Sequence, residues 1–269
     1  MTNGRVAGDC SMPGVRAMRR VAAVLLGVSC IGESASRKGP SDRVAADTPY
    51  HAAGEEGSGV AVAIVLDNSG SMGNAAPGDT RPKTDVARAA IATMLDATEG
   101  FIRAHPDVPV KVAMLWFAGS RRVTTVLPVQ GYSPDAVRAA LHSIPRPSGG
   151  TAIGVALEVA REQLYRAGVF RKHILVVTDG VNTDGPAPDV VAREIWRRSQ
   201  GGVHLHVVAF DTDPGKFAFL HEVQGDLVGA GSGPALRAGL EEIYQQRILA
   251  ESATNIERPV AQDTTRPPR

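Results

Sequence analysis

What most limits the fold of this chain is a rhythm. Four nearly continuous apolar runs of strand length, at residues 60–66, 110–117, 173–178 and 203–210, are separated by longer amphipathic stretches. The runs are mostly β-branched or aliphatic, as expected of strands buried on both faces by helices. The stretches between them carry helical spacing. Val86, Ala90, Met94, Ala97 and Phe101 recur at steps of three and four within residues 85–104, with Arg88 and Glu99 left for the surface. Ser133-Pro134 reads as a capping serine followed by proline at the first helical position. Residues 151–167, 189–199 and 235–250 supply three more helices.

One connection breaks the alternation. Only "AGSRR" separates the run ending at Phe117 from the one starting at Val123, which is too short for a crossover helix. Residues 123–129 must therefore return as an antiparallel partner. The expected fold class is α/β: a Rossmann-like three-layer sandwich, its central sheet mostly parallel with one antiparallel edge strand and helices on both faces.

Outside residues 59–250 the composition changes. The segment "RAMRRVAAVLLGVSCIG" sets Arg16, Arg19 and Arg20 before a short apolar stretch, the pattern of a secretory signal and too short for a comfortable membrane span. Residues 1–35 are expected to be a signal peptide, 36–58 a polar flexible linker and 251–269 an unstructured tail. Cys30 follows "LLGVS", which resembles the lipid-attachment box of bacterial lipoproteins, although Gly27 stands where a leucine is usual. Lipidation at Cys30 and cleavage just after it are both open. The chain has two cysteines, Cys10 and Cys30, so no disulfide staples the main body. A net charge of +1 with 4% aromatic residues excludes a broad nucleic-acid surface and stacking platforms for bases or sugars.

The chemistry concentrates where strands end. In "VAIVLDNSGSMG" the first apolar run gives way to Asp67, Ser69 and Ser71 on alternate positions. "ILVVTDG" ends the third run at Asp179, and "SGGTAIG" places Gly149 and Gly150 before Thr151 at a helix start. In the common strand order for this layout, the first and third runs are neighbours and their carboxyl ends form the switch point where ligands bind. Three loops then bring Asp67, Ser69, Ser71, Thr151 and Asp179 together. Two carboxylates and three hydroxyls suit a hard divalent cation, Mg²⁺ or Mn²⁺ ahead of Ca²⁺. Facing carboxylates without a cation or protons would be costly.

Taken singly, each element has an ordinary reading. Asp67-Asn68-Ser69-Gly70 is a good turn, Thr151 a plain helix cap and Asp179-Gly180 a common strand exit. Together, "DNSGSM", "GGT" opening a helix and "TDG" ending a strand resemble the von Willebrand factor A (VWA) family and its metal-ion-dependent adhesion site (MIDAS). The resemblance spans residues 59–250. It implies that Ser69, Ser71 and Thr151 are primary ligands, that Asp67 and Asp179 anchor the shell largely through water, and that an acidic side chain of a protein partner fills the open position.

That resemblance makes a non-enzymatic, exported binding module the expected function, either membrane-anchored in the periplasm or at the cell surface, or secreted, and monomeric as a domain. Alternatives are a VWA subunit of a larger envelope or ATPase-associated assembly, and a metal-assisted hydrolase using the same residues. A serine nucleophile would need a positioned base, and none of the seven histidines stands at a strand carboxyl end near the switch point. His204 and His206 alternate along one strand and are expected to be core or edge histidines. Arg81 and Lys83 read as solvated loop charges ahead of flanks to the binding face, and Asp211 and Asp213 as loop polarity ahead of added negative charge near the site.

Overall fold

The computed structural model describes residues 56–119 and 121–254. The expectations for the signal segment, for Cys30 and for the tail beyond residue 254 lie outside the described residues. Six strands form a single sheet in the order β3-β2-β1-β4-β5-β6. They are β1 (Gly57–Asp67), β2 (Val110–Ala118), β3 (Arg122–Gly131), β4 (Val169–Thr178), β5 (Val203–Phe210) and β6 (Asp226–Ala230). All neighbours are parallel except β2 and β3, which pair antiparallel across the short turn. The α/β fold expected from the sequence, with its antiparallel edge, is the fold observed.

Period-two alternation sorts each strand between two cores. Val60, Val62, Ile64 and Leu66 of β1 face a core shared with α1 (Lys83–Ala104), α2 (Pro134–Ser143) and α5 (Gly233–Glu242). Ala61, Ala63 and Val65 face the other, covered by α3 (Ile153–Tyr165) and α4 (Pro188–Arg198). The small residues on that second face let α3 lie close to the sheet, with Ala156 and Ala160 against it. Helix α5 continues through a π-helical stretch, Ile243–Leu249, into α6 (Ala250–Thr254). There Tyr244, fully buried, meets Thr98 of α1 in a 2.7 Å hydrogen bond. Among the described residues no helix is long and apolar enough to cross a membrane.

Some boundaries move. Gly57 and Ser58, expected in the linker, already belong to β1, and Glu56 just before them pairs with the buried Lys172 at 2.5 Å. Helix continues to Thr254, four residues into the expected tail. β6 was not anticipated, nor was the 3₁₀ segment Pro214–Val223 that precedes it.

Candidate functional site

The sheet order reverses between β1 and β4, and Asp67 and Asp179 stand at their carboxyl ends. After Asp67 the chain turns into a short 3₁₀ helix, Gly70–Gly73, which lifts Ser71 above the sheet edge. The loop before α3 is stitched to this turn by backbone bonds: Gly70 N–H donates to Gly149 O at 2.9 Å, and Ser148 N–H to Asn68 O at 2.9 Å. Gly149 has φ +78°, a left-handed conformation that suits glycine. Gly150 sits where a β-carbon would lie 2.5 Å from Thr183 Oγ1. A β-carbon on Gly119 would lie 2.2 Å from Gly150 N, so the hairpin turn presses on the same loop. The close approach expected of Gly149-Gly150 is present.

The side chains then converge. Ser69 Oγ and Ser71 Oγ are 3.2 Å apart, and Ser71 donates to Asp179 Oδ1 at 2.7 Å. Thr151 Oγ1 lies 3.6 Å from the position a β-carbon on Gly180 would take, next to Asp179. Ala152, not Thr151, is the residue that caps α3. Thr151 is instead held by its backbone, its N–H donating to Thr183 Oγ1 at 2.8 Å and its carbonyl accepting from the N–H groups of Thr183 and Asp184.

Asp67 is fully buried behind the serines. Its Oδ1 accepts from Ser69 N–H at 2.8 Å and its Oδ2 from the Thr178 hydroxyl at 2.5 Å. Burial pushes its pKa up to about 6, against the opposing pull of the Thr178 and Ser69 bonds. Asp67 therefore orients the turn rather than opening toward solvent.

Lys83 and Asp211 differ most from their expected roles. Lys83 is no solvated loop charge: it is the first residue of α1, 7% exposed, and its ammonium donates to Asp179 Oδ2 at 3.0 Å. It also pairs with Asp211 at 2.7 Å. Burial pulls its pKa down, but the bonds to Asp211 and Asp179 outweigh it and the net shift is upward. The backbone of Lys83 is tied to the site turn by a bond from its N–H to Asn74 O at 2.8 Å. Asp213 and Arg81 stay local. Asp213 caps the 3₁₀ segment through Gly215 N–H, and Arg81 pairs with Asp79 on the surface.

Chemically, the arrangement offers hard oxygens without an imidazole. The Ser71 hydroxyl contacts Ser69 and Asp179, and the Ser69 hydroxyl also acts on the Asp67 carboxyl. No group of three or more His, Cys, Asp or Glu able to share an ion occurs among the described residues. A hard cation here would rest on hydroxyls as much as on carboxylates. Oxygens on adjacent corners of a small octahedral shell lie about 3 Å apart, and the 2.7 and 3.2 Å separations fit such corners.

A second polar cluster lies lower in the sheet, toward the amino ends of β4, β5 and β6. His206 Nδ1 bonds Asp226 Oδ2 at 2.8 Å, and His206 Nε2 bonds His173 Nδ1 at 3.0 Å. His204 stacks on His173 with ring centroids 5.3 Å apart. The sequence offered His204 and His206 as a pair; the fold adds His173 from the neighbouring strand. With Asp226 accepting from Nδ1–H, His206 Nε2 is the acceptor for His173 Nδ1–H, which leaves His173 Nε2 buried without a hydrogen-bond partner. Burial, then His206, His204 and Arg171, hold the His173 pKa well below its usual value.

Residues 62–182 match the family described as von Willebrand factor type A domain, somewhat under half of the chain. No curated protein matches the chain. Among solved structures, it is similar to the PilB minor pilin from Streptococcus sanguinis, at 15% identity over 77% of this chain and 64% of the pilin, with TM-score 0.59. The chain thus spans less than two thirds of the pilin's length. It is similar to the conserved hypothetical protein BatB from Bacteroides thetaiotaomicron, at 25% identity over 72% of this chain and all of that one, with TM-score 0.52. It is also similar to proximal thread matrix protein 1 from the mussel byssus, described with a zinc-occupied MIDAS motif, at 21% identity over 70% of this chain and 46% of that one, with TM-score 0.54. These likenesses establish the VWA fold around the sheet.

Proposed function

We propose that this chain is a cation-dependent protein-binding module of the cell envelope, in which Ser69, Ser71 and Thr151 supply neutral donors, Asp67 and Asp179 anchor them, and a partner's acidic side chain completes the shell. The observation that carries this reading is the contact chain from Ser69 Oγ through Ser71 Oγ to Asp179 Oδ1, set at the sheet's switch point with Asp67 buried behind it. Mg²⁺ and Mn²⁺ suit the donors better than Ca²⁺, which takes more and longer oxygen contacts. When bound, such an ion supplies a strong positive centre with a position left for an anion. The chain's own part is to keep that centre positive. Hydroxyls donate lone pairs without cancelling charge, and Asp67 is turned toward Ser69 N–H and Thr178, away from the rim.

Binding rather than turnover is supported by the contacts of the serines. Ser71 gives its proton to a carboxylate that is already paired with Lys83, a poor arrangement for a nucleophile and its base. An envelope location is supported by the basic and apolar segment at residues 16–31 and by the likeness to a pilin.

The test is a titration of Mn²⁺ into the full chain, following the free ion by electron paramagnetic resonance, with Asp179→Ala as control. Saturable one-to-one binding that disappears in Asp179→Ala is the expected result. Absence of binding at millimolar ion, or equal binding by the variant, would overturn the cation reading.

A further inference from the structure

Asp179 has two oxygens, and both are engaged: Oδ1 by the Ser71 hydroxyl and Oδ2 by the Lys83 ammonium. The ammonium is enclosed, its side chain 8% exposed, and the Asp179 side chain is wholly covered. Behind Lys83 stands Asp211, placed by a backbone bond from its own N–H to Ala230 O at 2.8 Å. A fixed positive charge therefore shares its carboxylate with the position where the cation reading puts a divalent ion. Resting on that reading, we propose that Lys83 is a resident counter-cation that weakens divalent-ion binding in the free protein, and that Asp211 sets how strongly it does so.

The physical reason is competition for one anion. In partly buried surroundings like charges a few ångströms apart repel far more than they do in water. An ion that draws on Asp179 must do so against the ammonium already bonded to it. Asp211 offsets that repulsion, because it draws the ammonium's charge toward itself at 2.7 Å, closer than the 3.0 Å to Asp179. Without Lys83 the site would be more negative and would hold the ion alone. With it, the ion is left short of negative charge, and an anionic partner becomes the completing ligand. The competing idea is a clamp, in which Lys83 merely holds Asp179 in place for the ion. The two differ in sign.

The experiment is Mn²⁺ titration of the full-length wild type, Lys83→Met, Asp211→Asn and Asp179→Ala, at low and high salt, with circular dichroism to check folding. Methionine matches the lysine stem without its charge. Lys83→Met is expected to bind Mn²⁺ roughly tenfold tighter or more, with the gain shrinking at high salt. Asp211→Asn is expected to bind several-fold weaker. Should Lys83→Met fail to fold, Asp211→Asn still decides, because unchanged or tighter binding there overturns the proposal. Weaker or unchanged binding by Lys83→Met overturns it in favour of a clamp, while the cation reading survives if wild type binds and Asp179→Ala does not. If neither wild type nor Lys83→Met binds, both readings fall.

Discussion

The sheet carries buried polar groups at two levels, and they are resolved in opposite ways. Toward the amino ends of β4, β5 and β6, His173, His204 and His206 with Asp226 make a chain, each ring bonded to or stacked on the next, with His173 Nε2 left without a partner. At the carboxyl ends of β1 and β4, Asp67, Asp179, Asp211 and Lys83 make a set whose hydroxyl partners, Ser69 and Ser71, still have lone pairs to give. One cluster is tied ring to ring inside the sheet, and the other gathers its oxygens at the sheet's carboxyl edge. On the function proposed above, the difference separates burial that serves the fold from burial that serves binding. It also has a sign. Burial depresses the His173 pKa but raises that of Asp67, so acid works against the first cluster and alkali against the second.

The strongest blow to the histidine cluster is His206→Ala. It leaves the His173 Nδ1–H without its acceptor and opens a cavity, and is expected to cost about 4 kcal/mol in urea unfolding. A cost within experimental error would mean that the imidazole chain contributes nothing to the fold. Next comes Asp67→Asn in the presence of chelator. The native carboxyl has a pKa of about 6 against 3.8 when unfolded, so the ion-free protein loses stability as pH rises from about 4 to 6 and stays at the lower level above. That penalty is up to about 3 kcal/mol at neutral pH. Asp67→Asn keeps the Ser69 N–H bond through its carbonyl and the Thr178 bond in reverse, from its NH₂ to the hydroxyl. It is expected to be more stable than wild type at pH 7–8 (a difference absent near pH 4) while losing Mn²⁺ binding.

Thr178→Val has a smaller effect, about 1.5 kcal/mol of destabilisation, because a buried carboxylate oxygen loses its hydroxyl donor. The subtlest test uses the pH profile of ion-free unfolding. The His173 contribution is present above its unfolded value of 6.5 and is lost as pH falls below it, opposing the Asp67 contribution where the two windows overlap. Relative to wild type, His173→Leu should gain stability as pH falls from about 6.5 toward 5, at most about 1.4 kcal/mol per pH unit. Asp67→Asn should lose part of its advantage over the same range. Parallel profiles for the two variants would dissolve the contrast between the clusters.

Much of this was legible in the residues. The apolar runs located β1, β2, β4 and β5, and the brevity of "AGSRR" required the antiparallel return of β3. Strand ends put Asp67 and Asp179 beside each other because parallel neighbours share a carboxyl edge. β6 escaped notice because "DLVGA" is five residues at a sheet edge, mostly half-exposed, with a glycine that weakens any strand signal. Lys83 escaped for another reason. Its partners lie 96 and 128 positions away, and nothing local distinguishes a lysine that folds over a site from one in solvent. His173 was hidden likewise, since its partners stand on the adjacent strand.

The loop before α3 has one more implication, for the variation such a chain can accept. A β-carbon at Gly119 or Gly150 would run into backbone or into Thr183, and one at Gly154 would come within 2.1 Å of Pro186 O. These three positions are closed to side chains. A β-carbon at Gly78, in the excursion between the serines and α1, would meet nothing within 4 Å, and only its φ of +73° favours glycine there. Sequence change is therefore accommodated most easily along the mostly exposed residues 74–82, leaving the oxygens of the site where they are. Change arriving through the glycines would have to move the floor on which those oxygens stand.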